Sequence, residues 1–406
     1  MSMVRFAVSV GLVVLTSTAW SQEVAFEKKV LCDEAYYCDG VATGDFDRDG
    51  AVDIVAGPFW YSGPEFEQRQ EIFPPAPFNP AKGQSDSLFS NAYDFNGDGW
   101  DDVLVRGRVH LHPARWYENP QGEKRHWKRH VAFPKIQGEN PPFADVTGDG
   151  RPEIVTHWER FWGYVAPNWN RPQDPWTFHP LGAEGDWPQF HHGQGVGDIT
   201  GDGLTDIVIN QGWLARDKSQ AAESKSVWSF QEHRFSKERG GAQMLVYDVD
   251  GDGDNDVITS LDSHGWGLAW FENTRDEKTG KLSFVQHTFM GSREEESKYG
   301  VAFSQPHALV TGDIDGDGLT DVVVGKRRWA HGPKGDIEPN APAVVYWFRL
   351  ERTENGVRFR PHLIDDNSGV GLQIAATDVN ADGHLDVLTA SKLGTFLFLA
   401  KPQRSN

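Results

Sequence analysis

Apolar and polar positions alternate along this chain in a repeated rhythm of short runs. Seven times, a polar stretch of nine residues is followed by a β-branched, apolar tetrad: IVAG, VLVR, IVTH, IVIN, VITS, VVVG and VLTA. Runs of four to eight such residues between turn signals read as strands, not helices. Similar runs precede the polar stretches: VATG, PPFA, QGVG, MLVY, ALVTG and QIAAT. Further along each unit comes an aromatic run, as in FWYSG at Phe59, ARWYENP at Ala114, LAWFENT at Leu268 and VVYWFRL at Val344. A fourth run closes the unit, as in WKRHVAF at Trp127, FVQHTFM at Phe284 and FRPHLID at Phe359. The pattern predicts four short strands per unit.

The polar stretches share one design. They read DFDRDGAVD, DFNGDGWDD, DVTGDGRPE, DITGDGLTD, DVDGDGDND, DIDGDGLTD and DVNADGHLD. Positions 1, 3, 5 and 9 always carry a side-chain oxygen, and position 6 is always Gly. The first three loops offer Asp45, Asp47, Asp49 and Asp53; Asp94, Asn96, Asp98 and Asp102; and Asp145, Thr147, Asp149 and Glu153. The next two offer Asp198, Thr200, Asp202 and Asp206, then Asp248, Asp250, Asp252 and Asp256. The last two offer Asp313, Asp315, Asp317 and Asp321, then Asp378, Asn380, Asp382 and Asp386. Alternate oxygens on a tight loop suit a hard cation, and calcium takes six to eight oxygen ligands. An EF-hand would need Glu at position 12 and flanking helices. Position 12 here is Ala56, Val105, Thr156, Ile209, Thr259, Val324 or Thr389, and strands flank the loop. The loops with Asn or Thr at position 3 are expected to bind more weakly than those beginning at Asp45, Asp248 and Asp313.

On these loops the chain resembles FG-GAP or VCBS repeat proteins, the repeat family that includes the integrin α-chain propeller. The resemblance spans the sequence after the first residues. It implies structural calcium, up to seven ions, and an all-β, seven-bladed propeller of four-stranded blades. The first Asp residues recur at 49, 51, 53, 50, 65 and 65 positions, a blade-sized period. After the seventh loop only two strands follow, whereas VAFEKKVL from Val24 resembles a fourth strand. The N-terminal strand is therefore expected to complete the last blade and close the ring, which also protects strand edges. In blade four the third strand is unclear between Gly212 and Val227.

Charge and targeting fit an exported protein. Arg5, the apolar run from Phe6 to Leu15 and small residues at Ala19 and Ser21 read as a secretory signal, cleaved after Ser21. The propeller domain is then 22–406, secreted or periplasmic, with no membrane span expected. Net charge is −20, and the loops carry 24 carboxylates at positions 1, 3, 5 and 9; seven divalent ions would bring the charge to −6. That acidity excludes a nucleic-acid partner, which needs a basic footprint. The two cysteines, Cys32 and Cys38, are placed where an exported protein could join them.

Chemistry, if present, is expected at the channel mouth opposite the loops. Counting back from each loop places Asp39, Glu139, His192, Gln243, His307 and Gln373 around one opening. The outgoing strands end near His157, Asn210, Gln211, His264, Lys326, Arg327 and Lys392. No catalytic residue is assigned by motif; the candidates are His192, His307, His264, His157 and Glu139. Such a set suits a transition metal, Zn²⁺ being the natural ion, or acid–base work. A hydrated polar channel is the alternative. Trp158, Trp162, Trp169, Trp176 and Trp187 offer either a sugar-binding surface or ordinary blade packing. The segment HGQGVGDITGDGLTDIV with Gly212 and Trp213 is similar to the propeller domain of aldos-2-ulose dehydratases, keto-sugar enzymes. That likeness rests on a short segment, and their cupin domains have no counterpart up to Asn406. It implies that His192 and its neighbours carry any chemistry. Two functions follow: a binding or scaffold module for carbohydrate or protein ligands, or a carbohydrate-active lyase or dehydratase. The ligand and the oligomeric state are not legible.

Overall fold

The computed structural model describes residues 23–107, 112–216 and 228–403. The proposed signal segment lies outside the described residues. Seven four-stranded antiparallel sheets account for the described chain. Blade one is Val41–Gly44, Asp53–Ala56, Phe59–Tyr61 and Arg69–Glu71; blade two is Phe89–Tyr93, Asp102–Arg106, Ala114–Glu118 and Lys128–Phe133. Blade three is Phe143–Ala144, Glu153–Trp158, Phe161–Ala166 and Thr177–Gly182; blade four is Gln194–Gly197, Asp206–Ile209, Gly212–Arg216 and Trp228–Glu232. Blade five is Met244–Tyr247, Asp256–Ser260, Leu268–Arg275 and Leu282–Met290; blade six is Pro306–Gly312, Asp321–Lys326, Val345–Thr353 and Gly356–Asp365. Blade seven joins Ile374–Thr377, Asp386–Ser391 and Gly394–Gln403 to the N-terminal Glu23–Cys32. The ring closes as the strand pattern predicts, and the third strand of blade four is resolved at Gly212–Arg216.

Alternation along the second strands explains why these runs are apolar throughout. Successive side chains point to opposite faces of a strand, and here both faces are covered by a neighbouring blade. Ile54 packs toward blade seven with Leu388 and Leu397, whereas Val55 packs toward blade two with Val103 and Tyr117. Each pair of neighbouring blades encloses one such cluster. The core is therefore a ring of seven wedges, not one central mass.

The acidic loops brace this ring. Glycine at position 6 has φ between 83° and 98° in all seven loops, a left-handed conformation that a side chain would strain. The acid at position 9 is buried, and in every loop it accepts the backbone N–H of position 2, as Asp53 does from Phe46 at 2.7 Å. In five blades its other oxygen accepts an N–H from the third strand or just beyond it, such as Asn119 to Asp102 at 2.8 Å. Neighbouring blades also reach across. Asn119 donates to the Phe46 carbonyl, Asn273 to that of Ile199 and Arg216 to that of Thr147.

On the outer strands, His130 stacks on Trp116, His287 on Trp270 and His362 on Trp347, with ring centroids 4.3–4.4 Å apart. All five tryptophans of the 158–187 stretch pack against the wedges, Trp162 and Trp176 buried and Trp158, Trp169 and Trp187 half-buried. Cys32 and Cys38 are free, buried thiols; no disulfide joins them. Among the described residues, no helix is long and apolar enough to cross a membrane.

Candidate functional site

The first strand of each blade is an edge of its sheet, and those of blades four and five meet in a parallel bridge between Gln194 and Gln243. The starts of these first strands meet at one end of the channel, but they do not form the even ring that counting back suggests. Asp39, Gln243 and Gln373 are used as braces. Asp39 accepts hydrogen bonds from Tyr36 and Ser85. Gln373 holds both the N–H and the carbonyl of Ser90, and Gln243 spans from Leu309 N–H to the Leu372 carbonyl. Asn140 donates to the same Leu372 carbonyl. These side chains form a polar plug across the axis.

The remaining candidates converge on one point. Glu139 Oε2 lies 3.2 Å from His192 Nε2, 3.4 Å from His307 Nε2 and 3.8 Å from His264 Nε2. His192 and His264 approach each other at 3.1 Å through their Nε2 atoms. Ligands at ~2.1 Å around a tetrahedral zinc are separated by roughly 3.4 Å. The four donors therefore have the spacing of a metal coordination shell. They come from blades three, four, five and six.

Local backbone features aim each donor. Gly138 has φ of 85°, and a Cβ there would sit 1.8 Å from Gln194 Nε2, so only glycine lets the chain turn before Glu139. Glu139 N–H then bonds the His191 carbonyl at 2.9 Å, placing it beside His192. A bulge between His307 and Leu309, with Ala308 at φ 54°, turns His307 inward. Asp262 accepts the His264 N–H at 2.9 Å and fixes the turn that presents that ring.

Charge states suit the same role. Burial alone would raise Glu139, but the adjacent imidazoles, His192 foremost, hold it well below the ordinary carboxylate range. Burial pushes His307 down to about 3 and lowers His264. An ionised carboxylate with neutral imidazoles is the form that binds metal. Arg327 is buried beside the cluster, Nη1 being 3.3 Å from His307 Nε2, and its Nε and Nη2 have no hydrogen-bond partner.

Glu139, His192 and His264 line a cavity of about 820 Å³ at the channel mouth. Its wall carries Lys82, Arg234, Arg239, His331 and Lys392, and among the described residues Glu139 is its only acid. Sequence reasoning missed His331. Its Nδ1 is 2.7 Å from Asp336 Oδ1, and its backbone N–H bonds Asp336 Oδ2. Although burial works against it, the bonds from His331 hold Asp336 at about 2. The pair lies in the loop between two strands of blade six, where no motif marks it. Burial also depresses Lys326 and Lys392 to about 8; Lys326 bonds Ser304 and Lys392 bonds the Trp329 carbonyl.

His157 is outside the cluster. It packs against Trp162 and His191, so of the five candidates it alone is a packing residue. His191 bonds Gln211, and Asn210 caps the Ser236 N–H.

At the opposite end, several acidic loops gather three carboxylates closely enough to hold a metal ion, among them Asp45 with Asp47 and Asp53, and Asp248 with Asp250 and Asp256. Asp45 Oδ1 is buried without a partner. Burial raises the position-9 acids, Asp102 and Asp321 to about 8. A cation would supply the missing counter-charge. The loop from Asp313 differs: Arg349 Nε lies 2.7 Å from Asp315 and Nη2 2.8 Å from Asp317.

These features define a seven-bladed propeller whose blades are punctuated by acidic metal-type loops. The chain belongs to the FG-GAP-like repeat family: the family model matches residues 94–156, 248–324 and 313–389, about half of the sequence. No curated protein matches it by sequence. Among solved structures, an Agrocybe aegerita lectin specific for non-reducing terminal N-acetylglucosamine is similar, with TM-score 0.48 and 14% identity over 89% of this chain and 84% of its own. A Bacillus licheniformis rhamnogalacturonan lyase gives 0.42 and 14% over 92% and 71%. A V. cholerae biofilm matrix protein gives 0.38 and 12% over 93% and 84%. At these values none of the likenesses bears on what this chain binds or catalyses.

Proposed function

We propose that this chain is an exported carbohydrate-active lyase or dehydratase that works at a metal centre in the channel mouth, on a propeller braced by calcium. The observation that carries this reading is the convergence of Glu139, His192, His264 and His307 on one point, three of them lining the cavity at the channel mouth. Zinc suits that donor set. A divalent ion held there would supply Lewis acidity to an adjacent carbonyl or carboxylate oxygen.

The chain's own groups account for the rest. Asp336 fixes the Nδ1–H tautomer of His331, leaving Nε2 as a base facing the cavity. His331 takes the proton from the carbon next to the carbonyl. The C–H electron pair becomes the C=C bond, and the C–O bond at the following carbon breaks. The departing oxygen takes a proton from solvent in the cavity. Lys82, Arg239 and Lys392 favour an acidic or carbonyl-rich sugar over a neutral one. The acidic loops hold up to seven structural calcium ions, which offset most of the −20 charge. Residues 1–21 act as the export signal and 22–406 as the propeller.

A binding or scaffold module for carbohydrate or protein ligands is the second reading. The number of donors favours it, because structural zinc sites are closed by four protein ligands. One experiment separates the two. Purified protein is analysed for zinc and assayed on oxidised sugars and acidic oligosaccharides for unsaturated products absorbing in the ultraviolet. Turnover that falls at least about a hundredfold in His331→Gln, with zinc retained, supports the enzyme. Zinc with no turnover on any substrate leaves the module; protein lacking any transition metal defeats the metal centre.

A further inference from the structure

Beyond the plug, the channel continues toward the acidic loops as a second cavity of about 330 Å³. Its wall includes Asn91, Gln194, Gln243, Thr311 and Gln373, and among the described residues not one carboxylate. Into it projects Arg106, from the end of the second strand of blade two, with only 3% of its surface exposed. Its fork bonds the carbonyl of Pro141 and Asn91 Oδ1, and Phe89 lies beneath the guanidinium with the ring centre 4.7 Å away. Among the described residues it has no ion pair, and its Nε–H has no acceptor. Both polar atoms of the Gln194 side chain, in the same wall, also lack partners.

A buried guanidinium cannot shed its proton, so it needs a counter-charge. Neutral amides and one aromatic face lower the field only in part. We propose that the inner channel is an anion site, in which Arg106 Nε–H and the amide donors around it hold a halide-sized monovalent anion. Two of the five N–H groups of the guanidinium are bonded to protein oxygens, and Nε is the one nitrogen left without any acceptor. A monatomic anion needs no fixed pair of donors, so this N–H and the neighbouring amides suffice for it. The site is independent of the metal centre, which lies on the other side of the plug.

Bromide is the direct probe. Crystals of the calcium-loaded full chain grown in sodium bromide should show one anomalous peak beside Arg106 Nε. In solution, replacing sodium gluconate by sodium chloride at equal ionic strength should raise Tm saturably, by roughly 2 °C or more. In Arg106→Gln the chloride-dependent rise should vanish while the gluconate Tm is retained or increased. No bromide peak in the channel, or identical Tm in chloride and gluconate, overturns the site. The bromide experiment uses the unaltered protein, so a variant that fails to fold does not shield the proposal.

Discussion

Glu139 Oε2 lies 3.4 Å from His307 Nε2, although Glu139 leads into blade three and His307 sits in blade six. With His192 and His264 they bridge four consecutive blades of the seven, so a metal there would tie more than half the ring. Glu139→Gln and His307→Ala are each expected to lower zinc affinity at least about tenfold. Metal content after dialysis checks this. Retention of one full equivalent by both variants would refute the coordination shell.

Asp321 links two parts of its blade, accepting from Ile314 N–H at 3.0 Å and Leu350 N–H at 2.9 Å. Asp321→Asn keeps one acceptor oxygen and strands one buried donor. Denaturant unfolding in saturating calcium is expected to show a loss of about 1–3 kcal/mol. A loss well below that range would mean that solvent reaches the site.

Arg349 places a protein cation among the carboxylates of the loop from Asp313. Counting charges ranks this loop among the strongest calcium sites, but the guanidinium competes with the ion. Isothermal titration of metal-free protein is expected to find this site among the weakest. Arg349→Met should tighten one site at least about fivefold. No change in any site would show that the arginine and calcium coexist.

Calcium itself is expected to stabilise the ring, because an ion bound only by the folded state adds to its stability. EDTA should lower Tm markedly, and added calcium should restore it. A Tm indifferent to chelation would remove the structural role of the loops.

His157 is buried, which depresses it from 6.5 to about 4. The unfolded chain therefore binds a proton that the folded chain refuses between those values. Stability from this residue is present above pH 6.5 and is lost as pH falls toward 4, by about 3 kcal/mol. Unfolding across that range should fall less steeply for His157→Gln than for the unaltered protein. Parallel curves would show that the imidazole protonates freely in the fold.

Blade number, ring closure and the loop design were legible because each depends on local chemistry repeated seven times. A tight turn needs glycine at position 6, and a strand buried on both faces needs an unbroken apolar run. The final strand pairing was legible for the same reason: Phe396–Phe398 lacked a partner, and Val24–Val30 had the matching pattern. Four of the five candidates come together in the structure: Glu139, His192 and His307 were placed by the start of an inner strand, which must approach the axis, and His264 by the end of an outgoing one.

Position along a strand placed Asp39, Glu139, His192, Gln243, His307 and Gln373 at one end of the ring, and sequence goes no further. Tertiary structure decided which of them meet. The bulge at Ala308 and the turn at Gly138 swing His307 and Glu139 to one point, while Gln243 and Gln373 lock onto backbone groups. The same holds for His331 with Asp336, for Arg349 in its loop and for Arg106 in the channel. Strand period fixes which face a side chain occupies. Only the closing of the ring brings distant faces within a few ångströms, where charge, hydrogen bonding and coordination act.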